Sequence, residues 1–349
     1  MNSIASLRAT RSGGFTLIEL MVAMVLGLIV IAGVTSVFLA GQQSFRTNDA
    51  LANVQDSSRV AFELMARDIR EAGLTGCNSV NNLVTNVYKN APGNGGTDVW
   101  WAGWGNNIDY TVRGFNAAST DPALSGITGN GAPVAGATFN SLELISAASP
   151  PIAIKDEVAN TNFDLNAATT DLQNGDLAMV CSPSQATVMQ VGYVAGATAV
   201  YFNIPGNCST NLGYAVGPCP IGVDNPYPPN SLISKLNAVD WYLGTNSEGG
   251  TSLYRVSLVN KLGVPTPQTQ EMVRNVSAMT ITYLNPSIPA IDNKFVDAAT
   301  ISANGGWLGV TAVNVALTVQ STFQRASVQG NAPISRNYSF TTTVRNRVN

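Results

Sequence analysis

The chain has 349 residues, with 18 Lys+Arg against 21 Asp+Glu, and only 11% of it is charged. Histidine is absent, which excludes Ser-His-Asp and Cys-His nucleophilic sites and every His-ligated zinc or haem centre. A formal charge of −3 without a basic block gives no footprint for nucleic acid, because phosphate neutralisation needs clustered Lys and Arg.

Residues 1–14 are polar, with Arg8 and Arg11 as their only charges, and the run from Phe15 to Ala40 then holds a single charge, Glu19. At about 1.5 Å per helical residue this run outreaches a hydrocarbon core of about 30 Å. Two unbalanced arginines ahead of it predict a cytoplasmic N-terminus and an external remainder. The run exceeds the roughly 7–15 residues of a secretory h-region and no small-x-small site ends it cleanly, which argues against a cleaved secretory signal. A carboxylate inside an apolar span costs a few kcal/mol, so Glu19 is a candidate functional residue that needs a partner. An α-amino group freed by proteolysis nearby is chemically apt.

The helical pattern then continues. Leu51, Val54, Ser58, Ala61, Phe62, Met65, Ile69 and Ala72 recur at steps of three and four, as a core-facing stripe does. Arg46, Asp49, Asp56, Arg59, Glu63, Arg67, Asp68, Arg70 and Glu71 take the remaining faces. No proline interrupts residues 15–91, and Gly73 reads as the C′ stop. The prediction is one helix over about 15–72, apolar all round in the half spanning 15–40 and amphipathic in the half spanning 41–75. Gly27, Gly33 and Gly41 each weaken it by up to about 1 kcal/mol or admit close helix packing.

From residue 76 to 349 the chain reads as a β-rich domain. Strand-like runs at 138–147, 176–182, 186–194, 197–204, 238–245, 251–259, 278–285, 311–322 and 338–348 are rich in Val, Thr, Tyr and Ile and punctuated by Gly, Pro and Asn, which predicts a mainly antiparallel sheet. Gln270 to Ser277 reads as a helical turn, and 78–137 and 205–235 as loop-rich stretches. The expected class is therefore α+β. No second long helix and no G-x-x-x-x-G-K-[ST] run is present, so a nucleotide-binding α/β fold is not expected.

Chemistry-bearing candidates are few. Cys77, Cys181, Cys208 and Cys219, placed outside the cytoplasm by the topology, read as two disulfides with three possible connectivities. The ten-residue spacing of Cys208 and Cys219 suggests a local staple, which would leave Cys77 for Cys181. A Cys₄ metal site lacks C-x₂-C spacing. Asp171, Asn174 and Asp176 could offer calcium ligands, but Asn174-Gly175 reads more simply as a turn into a strand, and the ligand spacing of an EF-hand loop is missing. Trp100, Trp101 and Trp104 form an aromatic cluster that reads as core before it reads as a sugar or protein contact. Ser182 and Ser184 lack an activating base, with no S-x-x-K in support. No catalytic residue, metal or cofactor is expected.

Arg11-Ser12-Gly13-Gly14-Phe15-Thr16-Leu17-Ile18-Glu19-Leu20 resembles the class III signal of type IV pilins and type II secretion pseudopilins. The resemblance implies cleavage by a prepilin peptidase between Gly14 and Phe15, removal of residues 1–14, methylation of the new N-terminus at Phe15, and pairing of Glu19 with the terminal amine of a neighbouring subunit. Further segments are similar to the PilW family of minor pilins: Glu63 to Gly73 followed by Cys77, Ser252-Leu253-Tyr254-Arg255, Val273-Arg274-Asn275-Val276, Ile281-Thr282-Tyr283, Trp307 to Val313, and Thr343 to Arg347. That resemblance implies a non-enzymatic, low-copy subunit that primes pilus assembly and sits near the tip. Its partners would be the peptidase, other minor pilins, the major pilin and a tip adhesin, with the inner membrane as the site before assembly and the extracellular pilus after it. A large minor pseudopilin of a type II secretion system is the alternative, followed by a membrane-anchored periplasmic enzyme.

Overall fold

The computed structural model describes residues 14, 16–74, 83–89, 100–102, 111–134, 139–148, 150–213, 224–322 and 332–345. The described residues fall into two compact units, one made of those up to 52 together with 332–334 and the other of those from 53 to 322 together with 335–345. Helix α1 (Leu17–Glu71) begins in the first unit and ends in the second, within one or two residues of the predicted span.

In the first unit every large apolar side chain from Leu17 to Leu39 is between 50 and 77% exposed. A stretch that is apolar on all faces has no inner side to bury within one chain, so it is matched to lipid or to other helices. Its two hydroxyl side chains are satisfied internally, Thr35 Oγ1 donating to the Ile31 carbonyl and Ser36 Oγ to the Gly33 carbonyl, each at 2.8 Å. This removes the main polar cost of placing them in an apolar medium. By length and composition the helix can cross a membrane. Further along, Ala50 is buried against Ile334.

In the second unit the stripe is buried as its period requires: Val54, Ser58, Ala61, Met65, Ile69 and Ala72 are all buried. Gly73 ends the helix with φ +75°, the left-handed conformation that glycine adopts at little cost. The strands are β1 (Leu83–Asn86), β2 (Val112–Phe115), β3 (Ser141–Ala147), β4 (Ile152–Val158), β5 (Asn162–Leu165), β6 (Leu177–Cys181), β7 (Gln185–Gln190), β8 (Gly192–Tyr193), β9 (Ala199–Tyr201), β10 (Leu232–Thr245), β11 (Thr251–Lys261), β12 (Val264–Arg274), β13 (Val276–Leu284), β14 (Ala312–Gln320) and β15 (Ser335–Thr343). A short helix, α2 (Ala298–Ala303), precedes β14.

Among the described residues these strands make two sheets, one of twelve strands and one of three, β13-β14-β15. Pairing is antiparallel except between β1 and β7. The long β10 organises the larger sheet: its first residues pair with β4 and β6, and its second half lies between β3 and β11. Period-two alternation aims Leu142, Leu144, Val239, Trp241 and Leu243 at one core, where they meet Val54, Ala61, Met65 and Ile69 of α1 and Ile281, Val313 and Val315 of the smaller sheet. A second core, with Phe163, Val180, Met189, Phe202, Tyr227 and Ile233, fills the lobe around β4–β9.

One expectation is corrected. Gln270 to Ser277 is no helical turn: it is the end of β12 and the start of β13, joined at Asn275 with φ +59°. β12 carries Pro265 and Pro267 and, among the described residues, pairs with β11 only, an edge position that tolerates proline. Among the described residues, the loop-rich stretch 78–137 holds β1, β2 and three 3₁₀ turns.

Candidate functional site

The residues implicated in processing sit at the start of α1. Gly14 is exposed, as a cleavage position must be. Phe15 lies outside the described residues. Thr16 and Glu19 form a reciprocal cap: the Glu19 amide donates to Thr16 Oγ1 at 3.3 Å, while Thr16 N–H and Oγ1–H donate to Glu19 Oε2 at 3.0 and 2.9 Å. This T-x-x-E arrangement satisfies amides that the first helical turn leaves without intrahelical partners. Glu19 therefore has a local partner that the sequence reading overlooked, although the S/T-x-x-E spacing was there to find.

The remaining candidates are scattered. Cys181 and Cys208 are both disulfide-bonded, and Cys77 and Cys219 lie outside the described residues. The segment Asp171 to Asp176 is a turn packed on its surroundings: Lys235 Nζ pairs with Asp176 Oδ2 at 2.9 Å and Asn260 Nδ2 donates to Asp176 Oδ1 at 2.8 Å. Trp100 and Trp101 meet edge to face at 5.9 Å, with Trp101 buried in a core, and Trp104 is outside the described residues. Ser182 Oγ accepts the amide of Gln185 at 3.3 Å, so it caps the turn into β7.

Sequence spacing could not bring Asp121, Glu143 and Asp240 together, but the fold does. Glu143 and Asp240 are directly opposed across β3 and β10, and Arg113 opposes Glu143 from β2. Asp121 caps the 3₁₀ turn Pro122–Leu124 and accepts the Ala123 amide at 2.8 Å, with its other oxygen bonded to Ser141 Oγ. Burial raises all three carboxyl groups above their usual range, and the charge of Asp121 raises Glu143 and Asp240 further.

The segment around the N-terminal cap matches the family model described as the prokaryotic N-terminal methylation motif, over residues 10–35. No curated protein matches the chain. The matched stretch contains Gly14, Phe15, Thr16 and Glu19 and enters the exposed apolar half of α1, so the chain carries a class III prepilin signal of the type IV pilin kind, and with it the substrate features of a prepilin peptidase.

Proposed function

We propose that this protein is a minor pilin of the PilW kind, made as a prepilin, which primes assembly of a type IV pilus and resides at or near its tip without catalysing a reaction. The observation that carries this reading is the methylation motif over residues 10–35, continuous with a helix whose first half exposes apolar side chains on every face. Cutting after Gly14 creates an amine at Phe15, one residue from the Thr16–Glu19 cap. In the low dielectric of a helical bundle, a neighbour's amine and the Glu19 carboxylate attract strongly, and pairing removes the cost of an isolated buried charge. Thr16 holds the carboxylate until that partner arrives. The core-lining residues Leu253, Val273, Trp307 and Val313 lie in the segments similar to PilW, which supports this assignment.

Deletion of the gene tests it. The proposal expects loss of surface pili and twitching with exoprotein secretion intact. Loss of secretion with pili intact would assign the chain to a type II system as a pseudopilin, and retention of both would turn attention to an anchored enzyme.

A further inference from the structure

Asp121, Glu143 and Asp240 each present a carboxylate oxygen within 4.8 Å of the other two, and the three residues are 3, 4 and 0% exposed. Ala123 N–H and Ser141 Oγ–H donate to Asp121, and the Leu142 amide donates to Asp240 Oδ1 at 3.3 Å, while the Tyr283 hydroxyl is buried without a hydrogen-bond partner and near enough for the charges of Asp240 and Asp121 to act on it. Glu143 Oε1 and Asp240 Oδ2 are buried with no hydrogen-bond partner. Two orphaned carboxylate oxygens in a group of three buried acids call for a proton or a cation to offset them.

We propose that Asp121, Glu143 and Asp240 bind one calcium ion within the β domain. Calcium takes hard oxygen ligands at about 2.3–2.6 Å, so ligands on opposite sides of it stand about 4.6–5.2 Å apart, which suits the 4.8 Å limit of this cluster. Charge points the same way. Arg113, opposite Glu143, supplies one positive charge against three carboxylates, and a divalent ion makes the group neutral. Zinc would favour nitrogen and sulfur ligands, of which the cluster has none, and magnesium demands a stricter octahedron. A surface depression of about 260 Å³, lined by Ser119, Thr120, Asp121 and Pro133 among others, gives the ion a route to Asp121 and room for water to complete its shell.

The test uses the full-length chain in detergent, stripped with EGTA. Terbium, a luminescent stand-in for calcium, is titrated while Trp241 and the buried tyrosines are excited. The proposal expects sensitised emission that saturates at one terbium per chain and is displaced by calcium. In the Glu143→Gln, Asp240→Asn double variant, affinity should weaken at least tenfold. Should that variant not fold, the melting temperature of the unaltered chain decides, because calcium must raise it above the EGTA value. Emission unchanged in the folded double variant, or no emission together with no calcium-dependent shift in melting, would overturn the proposal and leave the carboxylates sharing protons instead.

Discussion

Asp68 of α1 and Arg255 of β11 form an ion pair at 2.8 Å, and Trp241 Nε1 donates to the same carboxylate oxygen at 2.9 Å. A carboxylate in the last turn of a helix opposes the macrodipole. Its place here depends on those two donors, with the Arg255 guanidinium also 5.9 Å from the centre of the Trp241 ring. The pair fastens the end of α1 to the centre of the larger sheet.

Replacing Asp68 with alanine should lower the unfolding free energy of the second unit by about 2–4 kcal/mol, since it strands a buried indole N–H and breaks a partly buried ion pair. Asp68→Asn keeps an acceptor for Trp241 and should lose less. Denaturant titration of the detergent-solubilised chain measures both, and a loss under about 0.5 kcal/mol for alanine would refute the assignment.

Gly175 and Gly263, both with positive φ (+86° and +89°), bring two turns into backbone contact, and Gln190 Nε2 donates to both carbonyls at 2.9 and 3.0 Å. A Cβ on Gly175 would collide with the Gly263 backbone. Gly175→Ala should therefore cost about 2 kcal/mol or more, combining overpacking with an unfavourable backbone conformation. Gly196→Ala is the control: φ is +82° but nothing lies within 4 Å of the added carbon, so only the conformational cost of about 1 kcal/mol remains. Equal losses at the two sites, compared by thermal melting, would contradict the contact.

Asp297 caps α2 by accepting the Thr300 amide at 2.8 Å, and its bonds to Thr300 hold its carboxyl below the ordinary value. A carboxyl whose folded value lies below its unfolded one contributes stability above the unfolded value and loses it as pH falls through the folded one. Asp297→Ala should cost about 1 kcal/mol at neutral pH. The gap between variant and parent should close as pH drops below about 4, read from paired denaturation curves. A gap unchanged down to pH 2 would rule out the ionised cap.

What the sequence made legible was what local physics encodes. The extent of α1 followed from an unbroken apolar run, a three-four stripe and Gly73, and the spacing from Gly14 to Glu19 marked the processing segment. Asp68 was assigned to a solvent face because its charge fits there, and only the long-range meeting with Trp241 and Arg255 explains its burial. Asp121, Glu143 and Asp240 were invisible for the same reason: cross-strand register across about a hundred residues creates the cluster. The strand Val264–Arg274 contains Pro265 and Pro267, which remove ladder donors, and it accommodates them because among the described residues it pairs with β11 only.

The most direct test of the central claim is N-terminal mass spectrometry of the protein purified from its own membrane. Removal of residues 1–14 from the 349-residue chain leaves 335, and the account predicts that mature species beginning at an N-methylated Phe15. A mature protein that still begins at Met1, or one cut elsewhere with an unmethylated end, would contradict it.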